Sequence, residues 1–349
     1  MSHNRRLTAL LERVDEAANK AKEEKDFASI FSELRDFQRT VGPIRYNNLA
    51  KWYIVGLIAG FGGSFAAAYF RLPAFQQALG DWGFAVMGVL AVALIAMLIV
   101  IGTAGSAIEE ISDLIFNKDI SFDNRLEEVD TDRKGGDMYR RLKKEFGDFR
   151  DRGDESRYIQ RLVKGAWAGK EHSFPYEYYV FHYVRVYYVL VTKTDANGKT
   201  TTVRERRTET LHRYGLILDF PYAQGVAVTS GGGSYDYAEG FQPTSEEFSD
   251  IYQVGADTAQ AAAKFLKPAV VLAFLEMEKS FDGLNVEINR DGRLNIAFSD
   301  SDVLDLERRH SIAEPDEFEK EINSHLGLPK LRTLLEFVEV LKKHNDSNF

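Results

Sequence analysis

Two long apolar runs constrain this chain more than any other feature of its sequence. Residues 52–103 contain only two charged side chains, Arg71 and Asp81, which lie between runs at about 49–70 and 83–106. Each run reaches the roughly 20 residues that a helix needs to cross about 30 Å of hydrocarbon. Because the connection between them is short, we expect the two runs to form an antiparallel transmembrane hairpin.

Small side chains recur every fourth residue in the first run, at Gly56, Gly60, Ser64 and Ala68. This spacing predicts a flat ridge along one helix face, where another helix backbone can approach closely. The partner of this ridge is either the second run of the same chain, or a second protomer or other membrane protein. The sequence leaves both alternatives open.

Basic side chains predict the orientation of the hairpin. Arg35, Arg39, Arg45 and Lys51 lie just before or at the start of the first run, whereas Arg71 is the only basic residue in the connection. Cytoplasmic flanks of membrane helices carry an excess of Lys and Arg. We therefore expect a two-span protein with both termini in the cytoplasm.

Composition excludes several classes of site and partner. The formal net charge is −9, which argues against nucleic acid as a partner because phosphate neutralisation needs a basic surface. The chain has no Cys, which excludes disulfides, thiolate metal sites and a cysteine nucleophile.

The charge and hydropathy pattern divides the chain into four segments. They are an N-terminal cytoplasmic amphipathic helix (1–48), the transmembrane hairpin (49–106), a charged helical stalk (107–168) and a cytoplasmic α+β domain (169–349). In the first segment, an apolar stripe with helical spacing predicts one long helix over residues 5–39. This stripe must pack against the chain's own domain, a sister chain or a partner.

Strand patterns followed by helical patterns predict an α+β fold for the last segment. A Tyr- and Val-rich stretch and the stretch after it predict a hairpin that turns at 195–198, and Asp291-Gly292 predicts a second hairpin with a type I′ turn. The sequence FSDIYQV predicts another strand. The helical region that follows has Asp257 as its predicted N-cap and Pro268 as its predicted restart. Two further helices, at about 315–325 and 328–344, close the chain.

The order of these elements resembles an uncharacterised bacterial family, domain of unknown function family 3137. The resemblance covers roughly residues 150–345 and lies in PYEYYVFHYV, TLHRYGLILDFPYAQG, IYQVGADTAQAAAKFLKPAVVLAFLEME, LNVEINRDGRLNIAF and LPKLRTLLEFVEVLKKH. It implies a bacterial inner-membrane protein with two spans and a cytoplasmic α+β domain. It also implies a LemA-type membrane protein as a candidate partner, and it supplies no activity and no site residues.

No motif in the sequence predicts a catalytic, cofactor-binding or metal site. The acidic cluster Asp300, Asp302, Asp305 and Glu307 follows a strand, where such residues cap turns. The segment SGGGS at 230–234 lacks the Lys and helix start of a phosphate loop, so we expect a flexible loop. The His residues are scattered, and we expect His182 to lie singly on a sheet face.

One basic cluster remains as a candidate contact. Arg204, Arg206 and Arg207 are close in sequence on a predicted strand, where Arg204 and Arg206 share one face. They are candidates for contact with anionic lipid heads or with a partner, the alternative being a solvated strand face.

These observations predict a non-enzymatic, membrane-anchored scaffold or interaction protein, which self-assembles or binds another protein through its α+β domain. The alternative is a ligand-binding receptor or an unrecognised enzyme, with a lipid- or nucleotide-sized pocket in that domain. A dedicated anchor, an apolar stripe in need of a partner and aromatic strands favour the first hypothesis.

Overall fold

The computed structural model describes residues 2–102, 105–131, 136–194 and 200–346. It shows a mixture of helices and a large antiparallel sheet, so the predicted α+β class is confirmed. The helices are α1 (His3–Lys20), α2 (Phe27–Thr40), α3 (Leu49–Arg71), α4 (Pro73–Leu79), α5 (Trp82–Gly102), α6 (Ser106–Asp123), α7 (Asp137–Glu145), α8 (Glu246–Ile251), α9 (Ala259–Phe265), α10 (Pro268–Glu278), α11 (Pro315–Ile322) and α12 (Pro329–Asn345). The strands are β1 (Glu127–Glu128), β2 (Glu155–Ala168), β3 (Ser173–Thr194), β4 (Thr200–Asp219), β5 (Val226–Thr229), β6 (Glu239–Phe241), β7 (Gln253–Ala256), β8 (Asn285–Ile288) and β9 (Arg293–Phe298).

The chain forms two compact units. Unit 1 comprises Met1–Asp123 and Glu307–Leu326, and unit 2 comprises Asn124–Leu306 and Gly327–Phe349. Unit 1 contains α1–α6 and α11, whereas unit 2 contains the sheet with α7–α10 and α12.

The single helix predicted over 5–39 is wrong, because the structure has two helices with a break between them. The Asp26 carboxylate accepts the backbone N–H groups of Lys22 at 2.8 Å and Glu23 at 3.1 Å, which stabilises a turn in the charged stretch. The break lets both halves of the apolar stripe be buried within unit 1, where α1 contacts α6 and α2 contacts α11. The stripe therefore has its partner within the chain.

Helices α3 and α5 are both long and apolar enough to cross a membrane. They contact each other, and the short helix α4 lies in their connection. At the end of the pair the Tyr69 ring packs against Gly83, where an added Cβ would lie 2.0 Å from the ring, and the Tyr69 hydroxyl donates to the Gly80 carbonyl at 2.8 Å. In the most apolar stretches of these helices only 6% and 0% of residues are buried, so their apolar side chains face outward.

The sheet of unit 2 has the order β1-β2-β3-β4-β9-β8-β5-β7-β6. Both predicted hairpins are confirmed as pairs, β3 with β4 and β8 with β9. The first turn, predicted at 195–198, lies outside the described residues. In the second, Gly292 has a φ of +76° whereas Asp291 does not have a positive φ, so the predicted type I′ turn is wrong.

The helical stalk predicted for residues 107–168 is wrong in its second half, because Glu155–Ala168 is a strand. Charged residues interrupt the apolar pattern in the sequence of β2. Its residues Ile159, Leu162 and Val163 are nevertheless buried, because pairing with β3 determines the conformation of the segment. The first half is the predicted helix, α6, but its apolar face is buried in unit 1.

A strand, a helix N-cap and a helix restart were predicted in the region of α8–α10. The segment predicted as one strand begins as α8, where Ser245 accepts the Phe248 N–H, and becomes a strand only at β7. The N-cap of α9 is Thr258 and not Asp257, whose carboxylate instead binds Arg290 at 2.7 Å. The restart at Pro268 is confirmed, since α10 begins there. The two predicted closing helices are present as α11 and α12.

Candidate interaction surface

The hairpin of β3 and β4 extends beyond its neighbours in the sheet. Pairing of β2 with β3 ends at Val184, and pairing of β9 with β4 begins only at Tyr214. Between these limits, residues 185–194 and 200–209 pair only with each other among the described strands, and we call this ribbon the arm. At about 3.3 Å per residue the arm is roughly 30 Å long.

The β3 half of the arm places apolar side chains on both of its faces. Residues 186–191 are Val-Tyr-Tyr-Val-Leu-Val, and Leu190 is 76% exposed, Tyr188 51% and Tyr187 41%. Because side chains alternate along a strand, Tyr188 and Leu190 lie on one face and Tyr187 on the other. A hairpin of two strands is only marginally stable alone in water, so burial of these side chains against a partner would stabilise the arm.

The three predicted contact arginines all lie in the arm, and the predicted shared face of Arg204 and Arg206 is confirmed. Arg204 and Arg206 are opposite Leu190 and Tyr188 on one face, whereas Arg207 lies on the other, as the period of two requires. The Arg204 guanidinium stacks over the Tyr188 ring at 4.2 Å.

The other two arginines have acidic neighbours. Arg206 binds Glu155 at 2.7 Å, and Arg207 lies 4.0 Å from Glu205. The arm therefore presents Tyr, Leu and Arg together, a combination enriched at protein interfaces. The Val186 N–H at one edge donates to the Asp154 carboxylate at 2.7 Å, and beyond it the edges of the arm face no other described strand, so another strand can pair there.

The small-residue ridge of α3 does not face α5 along its first half. Added Cβ atoms at Gly56 and Gly60 would meet no described atom within 4 Å. Gly62 lies on the side that contacts α5, since a Cβ there would lie 3.8 Å from Leu90. Ser64 is exposed and Ala68 is half-buried. A partner for the ridge stays a prediction.

A buried ionic centre lies in unit 2, and the sequence did not indicate it. The Asp148 carboxylate is fully buried and accepts both nitrogens of the Arg213 fork, at 3.0 and 3.1 Å, and the Arg152 guanidinium at 2.7 Å. Asn285 and Tyr235 donate to the same carboxylate at 2.7 and 3.1 Å. Burial opposes ionisation of Asp148, but the two guanidinium groups outweigh it and hold its pKa well below the usual range.

A second buried carboxylate lies in the same centre. Glu287 accepts the backbone N–H of Gly147 at 2.6 Å and the Tyr237 hydroxyl at 3.0 Å. Burial raises the pKa of Glu287 to about 7, because these two hydrogen bonds only partly offset the loss of solvation.

The glycine-rich segment 230–234 is hydrogen-bonded to this centre. These bonds argue against the flexible loop that the sequence predicted. Ser230 N–H donates to the Asn285 side chain at 3.0 Å, and Ser234 N–H donates to the Gly147 carbonyl at 3.0 Å. Gly231–Gly233 have positive φ values of 148°, 69° and 84°, which favour glycine. The polar groups of the centre thus bind one another, and we assign the centre to folding of unit 2.

Two other sequence predictions can be compared with the structure. The Asp302 carboxylate accepts the Leu304 N–H at 2.9 Å, as predicted for a turn cap, and also the Tyr178 hydroxyl at 2.8 Å. His182 lies on the sheet face as predicted, but it is not alone there. Its Nδ1 is 3.2 Å from Nε2 of His212, the residue opposite it in β4.

A surface depression of about 410 Å³ lies beside α12, with Trp167, Glu339 and Lys343 in its wall. Its volume is at the lower end of the range for small-molecule sites. Glu339 accepts the Trp167 indole N–H at 3.1 Å and the Glu171 backbone N–H at 2.8 Å, so its carboxylate already has partners.

The arm and the ridge are interpreted from their own geometry. Comparisons with protein-family models, with curated proteins and with solved structures find no match for this chain.

Proposed function

We propose that this protein is a non-enzymatic, membrane-anchored interaction protein, with α3 and α5 as its anchor and the arm as its contact surface. The arm carries the proposal, because it exposes aromatic and aliphatic side chains on a ribbon that pairs only with itself. An exposed apolar surface of this kind is typical of a binding site.

The dimensions of α3 and α5 support the anchor. With 23 and 21 residues they are roughly 35 and 32 Å long at 1.5 Å per residue, close to the thickness of the hydrocarbon core. Trp52 and Trp82, near their first residues, are 53% and 77% exposed, and such rings favour the membrane–water interface.

The proposal includes the bacterial inner membrane as the location of the anchor and the cytoplasm as the side of both termini. The basic residues before α3 favour cytoplasmic termini. The resemblance to domain of unknown function family 3137 favours the bacterial inner membrane. In that setting, the arm faces the cytoplasm.

A second copy of the chain is the partner that we favour for the arm. Tyr188 and Arg204 lie on the same face of the arm, so two arms related by a two-fold axis can each offer an aromatic ring to the other's guanidinium. A LemA-type membrane protein is the second candidate partner, on the family resemblance alone.

The experiment uses the full chain in mild detergent, with its mass measured by light scattering and its neighbours identified by crosslinking in native membranes. We expect a defined oligomer, or a stoichiometric protein partner, that is lost when Tyr187, Tyr188 and Leu190 are all changed to Ser. The matched control changes the exposed arm residues Thr192, Thr201 and Thr202 to Ser, and should behave as the unaltered chain. A monomer without crosslinked neighbours would contradict the proposal.

The depression beside α12 favours the alternative of a ligand-binding receptor. A ligand that binds only the folded state raises the unfolding temperature by mass action. A thermal-shift screen of the full chain with nucleotides and short-chain lipids tests this function. Saturable stabilisation that is lost in Glu339→Gln would favour the receptor.

A further inference from the structure

Three segments of unit 1 that are distant in sequence bring potential metal ligands together. They are the 3₁₀ turn Glu24–Asp26, the last residue of α6, and the turn that follows α11. Ligand atoms of Glu24, Asp123 and His325 all lie within 4.8 Å of one another. Acidic groups often cluster at surfaces without binding a metal, so these three residues alone do not define a site.

Asp119 supplies an independent observation. It lies one helical turn before Asp123 on α6, which places both carboxylates on the same side of the helix. Asp119 is 0% exposed, and neither of its carboxylate oxygens has a hydrogen-bond partner among the residues that the structure describes. A buried carboxylate without a partner is costly, and a cation bound beside it would offset this cost.

The charges that act on Asp119 come from the same cluster. Burial, followed by the charges of Asp123 and Glu24, raises the pKa of Asp119 to about 7, and His325 opposes this rise. The neighbouring Lys118 does not neutralise it. Its ammonium group donates instead to the backbone carbonyls of Ala18 at 2.8 Å and Asn19 at 2.6 Å, at the end of α1.

We propose that Glu24, Asp119, Asp123 and His325 bind one divalent transition-metal ion of the Zn²⁺ class. Three carboxylates and one imidazole match the oxygen and nitrogen ligands of zinc. Calcium and magnesium prefer sites built from oxygen alone, so His325 favours a transition metal over both.

The ligand atoms of Glu24, Asp123 and His325 already lie within 4.8 Å of one another, near the spacing that a metal ion requires. Ligand atoms in a tetrahedral zinc site are roughly 3.3 Å apart, given metal–ligand distances of about 2.0–2.1 Å. His325 Nδ1 lies 3.0 Å from one Asp123 oxygen, and the other oxygen accepts the Leu326 N–H at 2.6 Å. The His325 side chain is 73% exposed, so it can turn from Asp123 to the ion, while Leu326 continues to orient the carboxylate.

An ion at this position would crosslink unit 1. Asp123 is the last residue of its first chain segment, and His325 lies one residue before the end of its second. Through Glu24, the ion would also link the turn between α1 and α2 to these two segments. We therefore expect the ion to stabilise the helices of unit 1.

The test uses tag-free, full-length protein in mild detergent, stripped with a chelator and titrated with ZnCl₂ by calorimetry. We expect one Zn²⁺ per chain, with affinity at least tenfold lower in Asp119→Asn and in His325→Ala. The matched control is His310→Ala, because His310 also pairs with a carboxylate of unit 1, Glu314, at 3.0 Å. This variant should bind Zn²⁺ as the unaltered chain does.

Unfolding temperatures separate metal binding from a structural effect. Without metal, Asp119→Asn should unfold at the same temperature as the unaltered chain or higher, because it removes a buried carboxylate without a partner. Zn²⁺ should raise the unfolding temperature of the unaltered chain and of His310→Ala, but not that of Asp119→Asn. Three results would each overturn the proposal: no Zn²⁺ bound, equal affinity in all variants, or Ca²⁺ bound as tightly as Zn²⁺.

Discussion

At the scale of single residues, the buried Glu287 makes the stability of unit 2 depend on pH. Its pKa is about 7 in the folded protein, against an ordinary value of 4.5. Between these two values the folded state holds a proton that the unfolded state has lost, so the free energy of unfolding falls as the pH rises. Above the pKa of the folded state this decrease is complete, and the free energy of unfolding has fallen by about 3 kcal/mol.

Glu287→Gln should remove this decrease, because the amide stays neutral. Between pH 5 and pH 8 we expect the unfolding temperature of the unaltered full chain to fall relative to that of the variant. The control is Glu339→Gln, since the Glu171 backbone N–H, followed by the Trp167 side chain, lowers the pKa of Glu339 and keeps it ionised over this range. Parallel curves for Glu287→Gln and the unaltered chain would show that Glu287 does not titrate there.

The residues of the ionic centre could not have been identified from the sequence. Asp148 and Arg152 lie in a stretch dense in charge, which is typical of a solvated segment, and Arg213 lies far from them in the chain. Only the sheet brings them together, through the pairing of β4 with β3 and β9. The same holds for Asp119 and His325, which no motif connects.

At the scale of secondary structure elements, sequence patterns succeeded where one chemical signal dominated. Uninterrupted apolarity identified α3 and α5, and dense Tyr and Val identified β3. The pattern failed for β2, whose charged residues mask its buried ones, because strand pairing decides that conformation. The sequence pattern also could not show that β3 and β4 extend beyond the neighbouring strands, since register is a property of the whole sheet.

The ridge of α3 gives a prediction at this scale. Gly60→Leu fills a position with no described atom within 4 Å, so it leaves the contact of α3 with α5 intact. If a second protomer packs on the ridge, the larger side chain keeps the two backbones apart. We expect the oligomer in detergent to dissociate at a protein concentration at least tenfold higher than for the unaltered chain.

The control for the ridge is Ala59→Leu, which enlarges an exposed residue of α3 outside the four-residue repeat. It should leave the oligomer unchanged. The same mass for Gly60→Leu and the unaltered chain would remove the ridge from the proposed assembly. The arm would then be its only proposed contact.

At the scale of the whole molecule, the absence of Cys makes the proposed topology directly measurable. Single cysteines at Glu12, Gln77 and Thr201 place one thiol on each of three exposed sites: α1, α4 and the arm. With cytoplasmic termini, a membrane-impermeant maleimide applied to intact bacterial cells with a permeabilised outer membrane should label only Gln77→Cys. The other two should react only after lysis, because the inner membrane separates them from the reagent.

The pattern of labelling discriminates among three arrangements of the chain. Labelling of Glu12→Cys and Thr201→Cys alone would reverse the orientation and place the arm outside the cytoplasm, where a cytoplasmic partner cannot reach it. Equal protection of all three sites before lysis, with release of the protein by alkaline carbonate, would mean that α3 and α5 bury their apolar faces in an assembly instead of a bilayer. Only labelling confined to Gln77→Cys is consistent with both the basic residues before α3 and the outward-facing side chains of the hairpin, since a spanning hairpin exposes its connection on one side and everything else on the other.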